Sequence, residues 1–189
     1  MATTVGQGGL ETGSSSTELY TEGLSTCIGA GVIGGEDGEK KIDKALAHVS
    51  SETTGPSFQT QFDDWKKAIQ DSKMTDISLY LSVPAADIIP AACRAMGDMI
   101  AYAKQTCKDL GAGCATLERK NEDKDNAPPF GTVLIKEDRQ VEMEGKVVSA
   151  NVGIGRQTAC SPIWFRFSVC GSDMYAIYGL TIRPEKDGV

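Results

Sequence analysis

The chain contains only one histidine, His48, in 189 residues, and none of its six cysteines belongs to a Cys-x-x-Cys pair. Zinc sites usually take four ligands, drawn mainly from histidines and from cysteines at short spacings. The sequence therefore predicts no metal site. The cysteines are also too scattered to act as a disulfide framework, and a chain of this length does not require one, so the pattern favours reduced thiols over disulfides.

Positive charge is scarce as well, because the chain has 19 Lys and Arg residues against 26 Asp and Glu residues, which gives a net charge of −7. Such a chain would repel the phosphates of a nucleic acid, so we expect no DNA or RNA partner. No apolar run approaches the ~20 residues that cross a bilayer, and the N-terminus carries no recognisable secretory signal. We therefore expect no membrane partner, and either a cytoplasmic protein or one delivered into a target cell. The oligomeric state is left open.

Glycine, serine and threonine dominate the first 16 residues, which end in three consecutive serines at 14–16. This composition is typical of a disordered segment. The remainder has the length and the composition of one globular domain. The expected organisation is a disordered leader over 1–16 and a single domain over 17–189.

Hydrophobic periodicity predicts two main helices. Large apolar residues recur at spacings of four, three and four in the first of them, namely Phe58, Phe62, Trp65 and Ile69. This is the stripe of an amphipathic helix, and core packing explains it better than ligand binding does. A longer helix is predicted over 87–110, with Gly111 as its stop and with Cys93 and Cys107 buried as small apolar residues.

Alternation of apolar and polar residues predicts strands elsewhere. The predicted strands span 18–22, 25–33, 45–49, 77–83, 114–119, 132–136, 140–144, 146–152, 162–169 and 174–182. The helices lie in the middle of the chain and do not alternate with strands, which favours an α+β fold over an α/β fold. We expect a β-sandwich-like arrangement of mixed and antiparallel sheets with two main helices.

Cys27 and His48 flank a segment whose centre, residues 35–39, has the composition of a turn. In a hairpin folded about residues 37 and 38 the two would be direct cross-strand partners, with side chains on the same face. A thiol beside an imidazole can perform nucleophilic acyl transfer, because the imidazole removes the thiol proton. Thr21 is a candidate to orient the ring through its hydroxyl or its carbonyl. The alternative is that Cys27 and His48 are ordinary core residues.

Glycines 29, 31 and 34 match the dinucleotide-binding pattern G-x-G-x-x-G. That pattern needs a strand before it and a helix that begins within it, whereas residues 35–38 would break a helix. A nicotinamide- or flavin-dependent oxidoreductase is therefore a weak hypothesis. We interpret the glycines as sites of close backbone approach beside Cys27.

Residues 21–49 resemble the active-site segments of the CheD-like chemoreceptor glutamine deamidases. The resemblance is carried by Thr21, Gly23-Leu24 and Cys27 in the first segment and by Leu46-Ala47-His48-Val49 in the second. It implies a Cys-His-Thr triad of Cys27, His48 and Thr21, and a fold shared with the catalytic domain of cytotoxic-necrotizing-factor-type toxins, which deamidate a glutamine in small GTPases.

The function expected from these observations is that of a cysteine-dependent protein glutamine deamidase, which would act as a toxin or effector or within its own cell. Its partner would be a protein that presents a glutamine, and it would need no cofactor. The oxyanion of the reaction is expected on backbone N–H groups near the nucleophile, with Ile28, Gly29, Ser25 and Thr26 as candidates. A catalytically inactive binding module of the same fold is the alternative.

Overall fold

The computed structural model describes residues 2–36, 41–50, 55–84, 94–119 and 131–149, together with two short strands, Ser168–Val169 and Ser172–Asp173. The chain divides into two compact units, residues 1–154 and 155–189. In the second unit the two short strands pair in antiparallel fashion, and the first of them lies at the end of the strand predicted over 162–169. Cys93, Cys160 and Cys170 lie outside the described residues.

The first unit contains ten strands and two helices in the described ranges. In chain order they are β1 (Ala2–Thr4), β2 (Leu10–Gly13), β3 (Glu18–Thr21), β4 (Ile28–Gly35), β5 (Lys44–Val49), α1 (Phe58–Ser72), β6 (Thr75–Pro84), α2 (Arg94–Asp109), β7 (Gly113–Arg119), β8 (Val133–Ile135), β9 (Val141–Met143) and β10 (Lys146–Val148). No helix in the described ranges is long and apolar enough to cross a membrane.

The strands form two five-stranded sheets. Sheet 1 has the order β1-β3-β8-β9-β10, and sheet 2 has the order β2-β5-β4-β6-β7. Each sheet is mixed, because β1 runs parallel to β3 and β6 runs parallel to β7 while the other pairs are antiparallel. The expectation of an α+β fold with two main helices and mixed sheets is confirmed.

The N-terminal residues are ordered, which corrects the expectation of a disordered leader over 1–16. β1 pairs with β3, and β2 pairs with β5, so each adds a strand to one sheet. Val5 is buried, and its N–H donates to the carbonyl of Tyr20 at 2.7 Å. Composition failed as a guide here because the order comes from backbone hydrogen bonds to partner strands, and those bonds are independent of side-chain type.

The core has two layers, one on each face of sheet 2. The helices cover the outer face, where Phe62 and Trp65 of α1 are fully buried, as the helical stripe predicted. The inner face packs against sheet 1 through a second cluster, which includes Leu46 of β5 and Val133 and Ile135 of β8.

Alternation along β4 decides which of its residues meet each layer. Ile28, Ala30 and Val32 join the cluster under the helices. Gly29 and Gly31 face sheet 1 instead, because a Cβ atom at Gly29 would lie 2.7 Å from Cγ2 of Val133. These glycines therefore allow sheet 1 to approach the backbone of β4 closely.

Candidate active site

The hairpin of β4 and β5 sets the relative position of Cys27 and His48. The register places Gly29 opposite His48 and Ile28 opposite Val49, so the predicted direct pairing of Cys27 with His48 is wrong by two residues. The prediction placed the turn from composition alone. In the observed register, each apolar residue of β4 that faces the helices lies opposite an apolar residue of β5. These pairs are Ile28–Val49, Ala30–Ala47 and Val32–Ala45.

A shift of two residues keeps both side chains on the same face, because strand side chains alternate with a period of two. Cys27 immediately precedes β4 and belongs to the cluster between the sheets, as does Leu46, which shares its face of β5 with His48. Cys27 is thus the diagonal neighbour of His48 across the hairpin. Diagonal neighbours are separated by about 7–8 Å, which long or aromatic side chains can span.

Thr21, at the end of β3, holds the imidazole of His48 from sheet 1. Its Oγ1 lies 2.9 Å from Nδ1 of His48 and 2.8 Å from the carbonyl oxygen of Val5. A carbonyl can only accept, so the single hydroxyl proton goes to Val5 and the hydroxyl oxygen accepts from the ring. The neutral ring therefore carries its proton on Nδ1, and Nε2 presents a lone pair.

The environment of His48 favours the neutral ring. Burial lowers its pKa below the usual value of 6.5, the positive charge of Arg119 acts in the same direction, and the Val5 carbonyl opposes them. Nε2 is buried and has no hydrogen-bond partner among the described residues. An unprotonated, unpartnered ring nitrogen is the group that can accept a proton from a thiol.

Arg119, the last residue of β7, is a part of this site that the sequence analysis missed. Its side chain is 7% exposed, and Nη2 donates to the carbonyl of Cys27 at 2.6 Å and also to that of Leu24. Nη1 donates to the carbonyl and the hydroxyl of Ser82, both at 2.9 Å. The guanidinium thus ties the turn before Cys27 to β6.

The charge of Arg119 also acts on the site. Burial lowers its pKa to about 10, while the negative charge of Glu144 raises it and a negative charge on Cys27 would act in the same direction. The guanidinium remains charged at neutral pH and close enough to interact with both Cys27 and His48. No sequence pattern pointed to it, because Arg119 stands in a run of charged residues that resembles a solvated strand end.

The backbone N–H groups near Cys27 differ in whether they are free to bind the oxyanion of a substrate. The N–H of Cys27 already donates to the carbonyl of Leu24 at 3.1 Å, and Ile28 and Gly29 lie within the paired strand β4. Ser25 and Thr26 are exposed, and their N–H groups make no hydrogen bond to a described residue. Of the predicted set, these two peptides are the ones open to a substrate oxygen.

The glycine pattern lacks the setting of a dinucleotide site. Gly29, Gly31 and Gly34 all lie within β4, which pairs with β5 on one side and with β6 on the other. The fingerprint requires a loop between a strand and a helix at this point. The hypothesis of a nucleotide-dependent oxidoreductase is therefore contradicted by the fold of this segment.

Comparison of the chain with protein-family models and with curated proteins finds no match. Within the described residues, no group of three or more His, Cys, Asp or Glu side chains is arranged to hold a metal ion.

Proposed function

We propose that this protein is a cysteine-dependent glutamine deamidase, with Cys27 as nucleophile, His48 as general base and acid, and Thr21 as the residue that orients the ring. The observation that carries the proposal is the chain of contacts from the Val5 carbonyl through Thr21 to Nδ1 of His48. These contacts leave Nε2 as the proton acceptor, on the sheet face that also carries Cys27.

In the proposed reaction, Nε2 of His48 takes the thiol proton while the Cys27 sulfur attacks the side-chain carbonyl carbon of a glutamine. The tetrahedral intermediate collapses as His48 returns the proton to the departing nitrogen, which leaves as ammonia. His48 then takes a proton from water, which attacks the thioester, and Cys27 is released with that proton. The net change is glutamine and water to glutamate and ammonia, with no cofactor.

Arg119 supports this chemistry in two ways. Its hydrogen bonds to the carbonyls of Leu24 and Cys27 hold the turn that carries the nucleophile. Its positive charge disfavours protonation of His48 and favours the thiolate form of Cys27. The first effect keeps His48 available as a base, and the second stabilises the nucleophile once its proton has left.

The substrate class follows from the same site. The exposed residues Ser25 and Thr26 mark the side from which a glutamine would approach Cys27. A protein glutamine presented on an extended loop fits such a site, since only its side-chain amide has to reach the sulfur. The two-sheet arrangement with helices on one outer face is consistent with a CheD-like or cytotoxic-necrotizing-factor-like deamidase fold.

A catalytically inactive binding module of the same fold is the second candidate. The observation that favours it is the burial of both central side chains, since Cys27 is 5% exposed and His48 is 4% exposed. A buried thiol without an accessible acyl group is commonly inert. The two candidates differ in the reactivity of Cys27.

The first test measures alkylation of Cys27 by iodoacetamide at neutral pH, resolved by peptide mass spectrometry. It uses the Cys114→Ser background, because Cys114 is exposed and would otherwise react first. We expect rapid labelling of Cys27 that slows at least about tenfold in His48→Ala, since the base would be lost. Slow labelling that is indifferent to His48 would instead favour the binding module.

The second test follows ammonia release from a blocked glutaminyl-glycine dipeptide. We expect Thr21→Val to lower kcat about 100-fold, because the ring loses its hydrogen-bond acceptor. Thr21→Ser is the matched control, which keeps the hydroxyl and should retain most of the activity. Full activity in Cys27→Ala, or equal losses in Thr21→Val and Thr21→Ser, would contradict the proposed roles.

A further inference from the structure

Two further cysteines meet at the end of α2. Cys107 lies in its last turn, Gly111 turns the chain with a left-handed φ of 67°, and Cys114 follows in β7. The N–H of Gly111 donates to the carbonyl of Lys108 at 2.9 Å, which closes the turn. The turn brings the two sulfur atoms to 3.3 Å from each other.

The two thiols have different environments. Cys107 is 3% exposed and packs in the core under the helices, whereas Cys114 is exposed. The hydrogen bond between the two thiols lowers the pKa of Cys114 to about 7, the charge of Lys104 acts in the same direction, and burial opposes them. The same interaction and burial raise the pKa of Cys107.

This asymmetry is the arrangement that thiol–disulfide exchange uses. The attacking thiol must be accessible and partly ionised, and the resolving thiol must lie within reach of the attacked sulfur. A shared metal ion would need further ligands, and no group of three or more candidate ligands occurs in the described residues. Cys107 was expected only to pack in the core, because nothing in the spacing of the two cysteines indicates that the chain folds back after the helix.

We propose that Cys107 and Cys114 form a redox-active pair that closes to a disulfide by exchange with a low-molecular-weight disulfide such as glutathione disulfide. The Cys114 thiolate attacks one sulfur of the reagent, which releases one thiolate and leaves a mixed disulfide. Cys107 then loses its proton and attacks the Cys114 sulfur, which releases the second thiol. The protein pair is oxidised by two electrons, and one glutathione disulfide is reduced to two glutathiones.

The proposal is independent of the deamidase reaction, since it involves neither Cys27 nor His48. Its test incubates the full-length protein with glutathione disulfide, quenches with acid, alkylates the remaining thiols and digests with trypsin. Cleavage after Lys104, Lys108 and Arg119 places the two cysteines in separate peptides, 105–108 and 109–119. We expect these peptides to appear joined, at the sum of their masses less two hydrogen atoms, and to separate on reduction.

Two variants separate the attacking thiol from the resolving thiol. In Cys107→Ala we expect the glutathione adduct on Cys114 to persist at least about tenfold longer than in the wild type, because nothing resolves it. In Cys114→Ser we expect neither an adduct nor a linked peptide at Cys107. A wild-type chain that accumulates the Cys114 adduct without forming the linked peptide would overturn the proposal. Pairing of Cys114 with any other cysteine would overturn it too.

Discussion

A single hydroxyl decides the protonation pattern of the only histidine in the chain. Thr21 donates to the Val5 carbonyl and therefore accepts from Nδ1 of His48, which leaves the lone pair on Nε2. A serine could make the same bonds, whereas a valine of similar shape could not. The importance of residue 21 thus lies in one oxygen atom at a fixed position.

The lowered pKa of His48 leads to a dependence of stability on pH. Its folded-state pKa lies below 6.5, so the unfolded chain binds a proton at a higher pH than the folded chain does. The stability contribution is constant above about pH 6.5 and is lost as the pH falls towards the folded-state pKa, with a slope of at most about 1.4 kcal/mol per pH unit. We expect urea unfolding to show this loss between pH 7 and pH 5.

The control for this measurement is His48→Gln, which has no titrating ring. Asp43 titrates in the opposite sense, because burial raises its pKa and acid then favours the folded state. The comparison of wild type with His48→Gln removes that contribution, since Asp43 is present in both. An equal loss of stability in the two proteins would show that His48 is not its source.

At the scale of the elements, Lys44 joins the two sheets. It begins β5 of sheet 2 and is fully buried. Its Nζ donates to the carbonyls of Thr17 at 3.0 Å and of Lys136 at 2.9 Å, which lie next to β3 and β8 of sheet 1. It also donates to the carbonyl of Glu137 at 3.2 Å. One ammonium group of sheet 2 therefore donates to three carbonyls that lie just beyond the ends of β3 and β8.

We expect Lys44→Met to lower the free energy of unfolding by about 3 kcal/mol, because it fills the space but leaves these acceptors without a donor. Lys67→Met is the matched control, since Lys67 is 70% exposed on α1 and pairs with Asp71 on the surface. Urea unfolding measures both. A loss in Lys44→Met no larger than in Lys67→Met would mean that the buried ammonium does not hold the sheets together.

The positions of helices and strands were easier to predict from the sequence than the register and contacts between them. The stripe of Phe62, Trp65 and Ile69 is a local pattern, and the helix formed where that pattern predicted it. The pairing of Cys27 with His48 depended on the register of a hairpin, which the packing of both faces of β4 decides. Arg119 was missed because its role arises only when β7 lies beside β6 and the turn before Cys27.

At the scale of the whole first unit, the N-terminal residues complete both the fold and the candidate site. Val5 accepts from Thr21, the N–H of His48 donates to the Gly9 carbonyl at 3.0 Å, and the N–H of Gly8 donates to the His48 carbonyl at 2.8 Å. Both strand-forming segments, β1 and β2, lie at sheet edges. Residues distant in sequence thus fix the position of the imidazole.

Deletion of residues 2–9 tests this role. We expect it to lower the free energy of unfolding by at least about 2 kcal/mol, from the buried Val5 side chain and the lost backbone hydrogen bonds, and to reduce the reactivity of Cys27. Val5→Ala is the matched control, since it keeps the carbonyl and should cost about 1 kcal/mol while sparing reactivity. A truncated chain as stable and as reactive as the full one would show that residues 2–9 support neither the fold nor the site.

The Val5 carbonyl also has a consequence for genetics. An alanine scan would remove side chains and leave this oxygen in place, so Val5→Ala would show only the small loss of stability expected from a core side chain. Over evolutionary time residue 5 could drift among strand-forming types without disturbing the ring of His48. A main-chain component of the site is not encoded by one side chain, so it persists for as long as the backbone after β1 keeps its course.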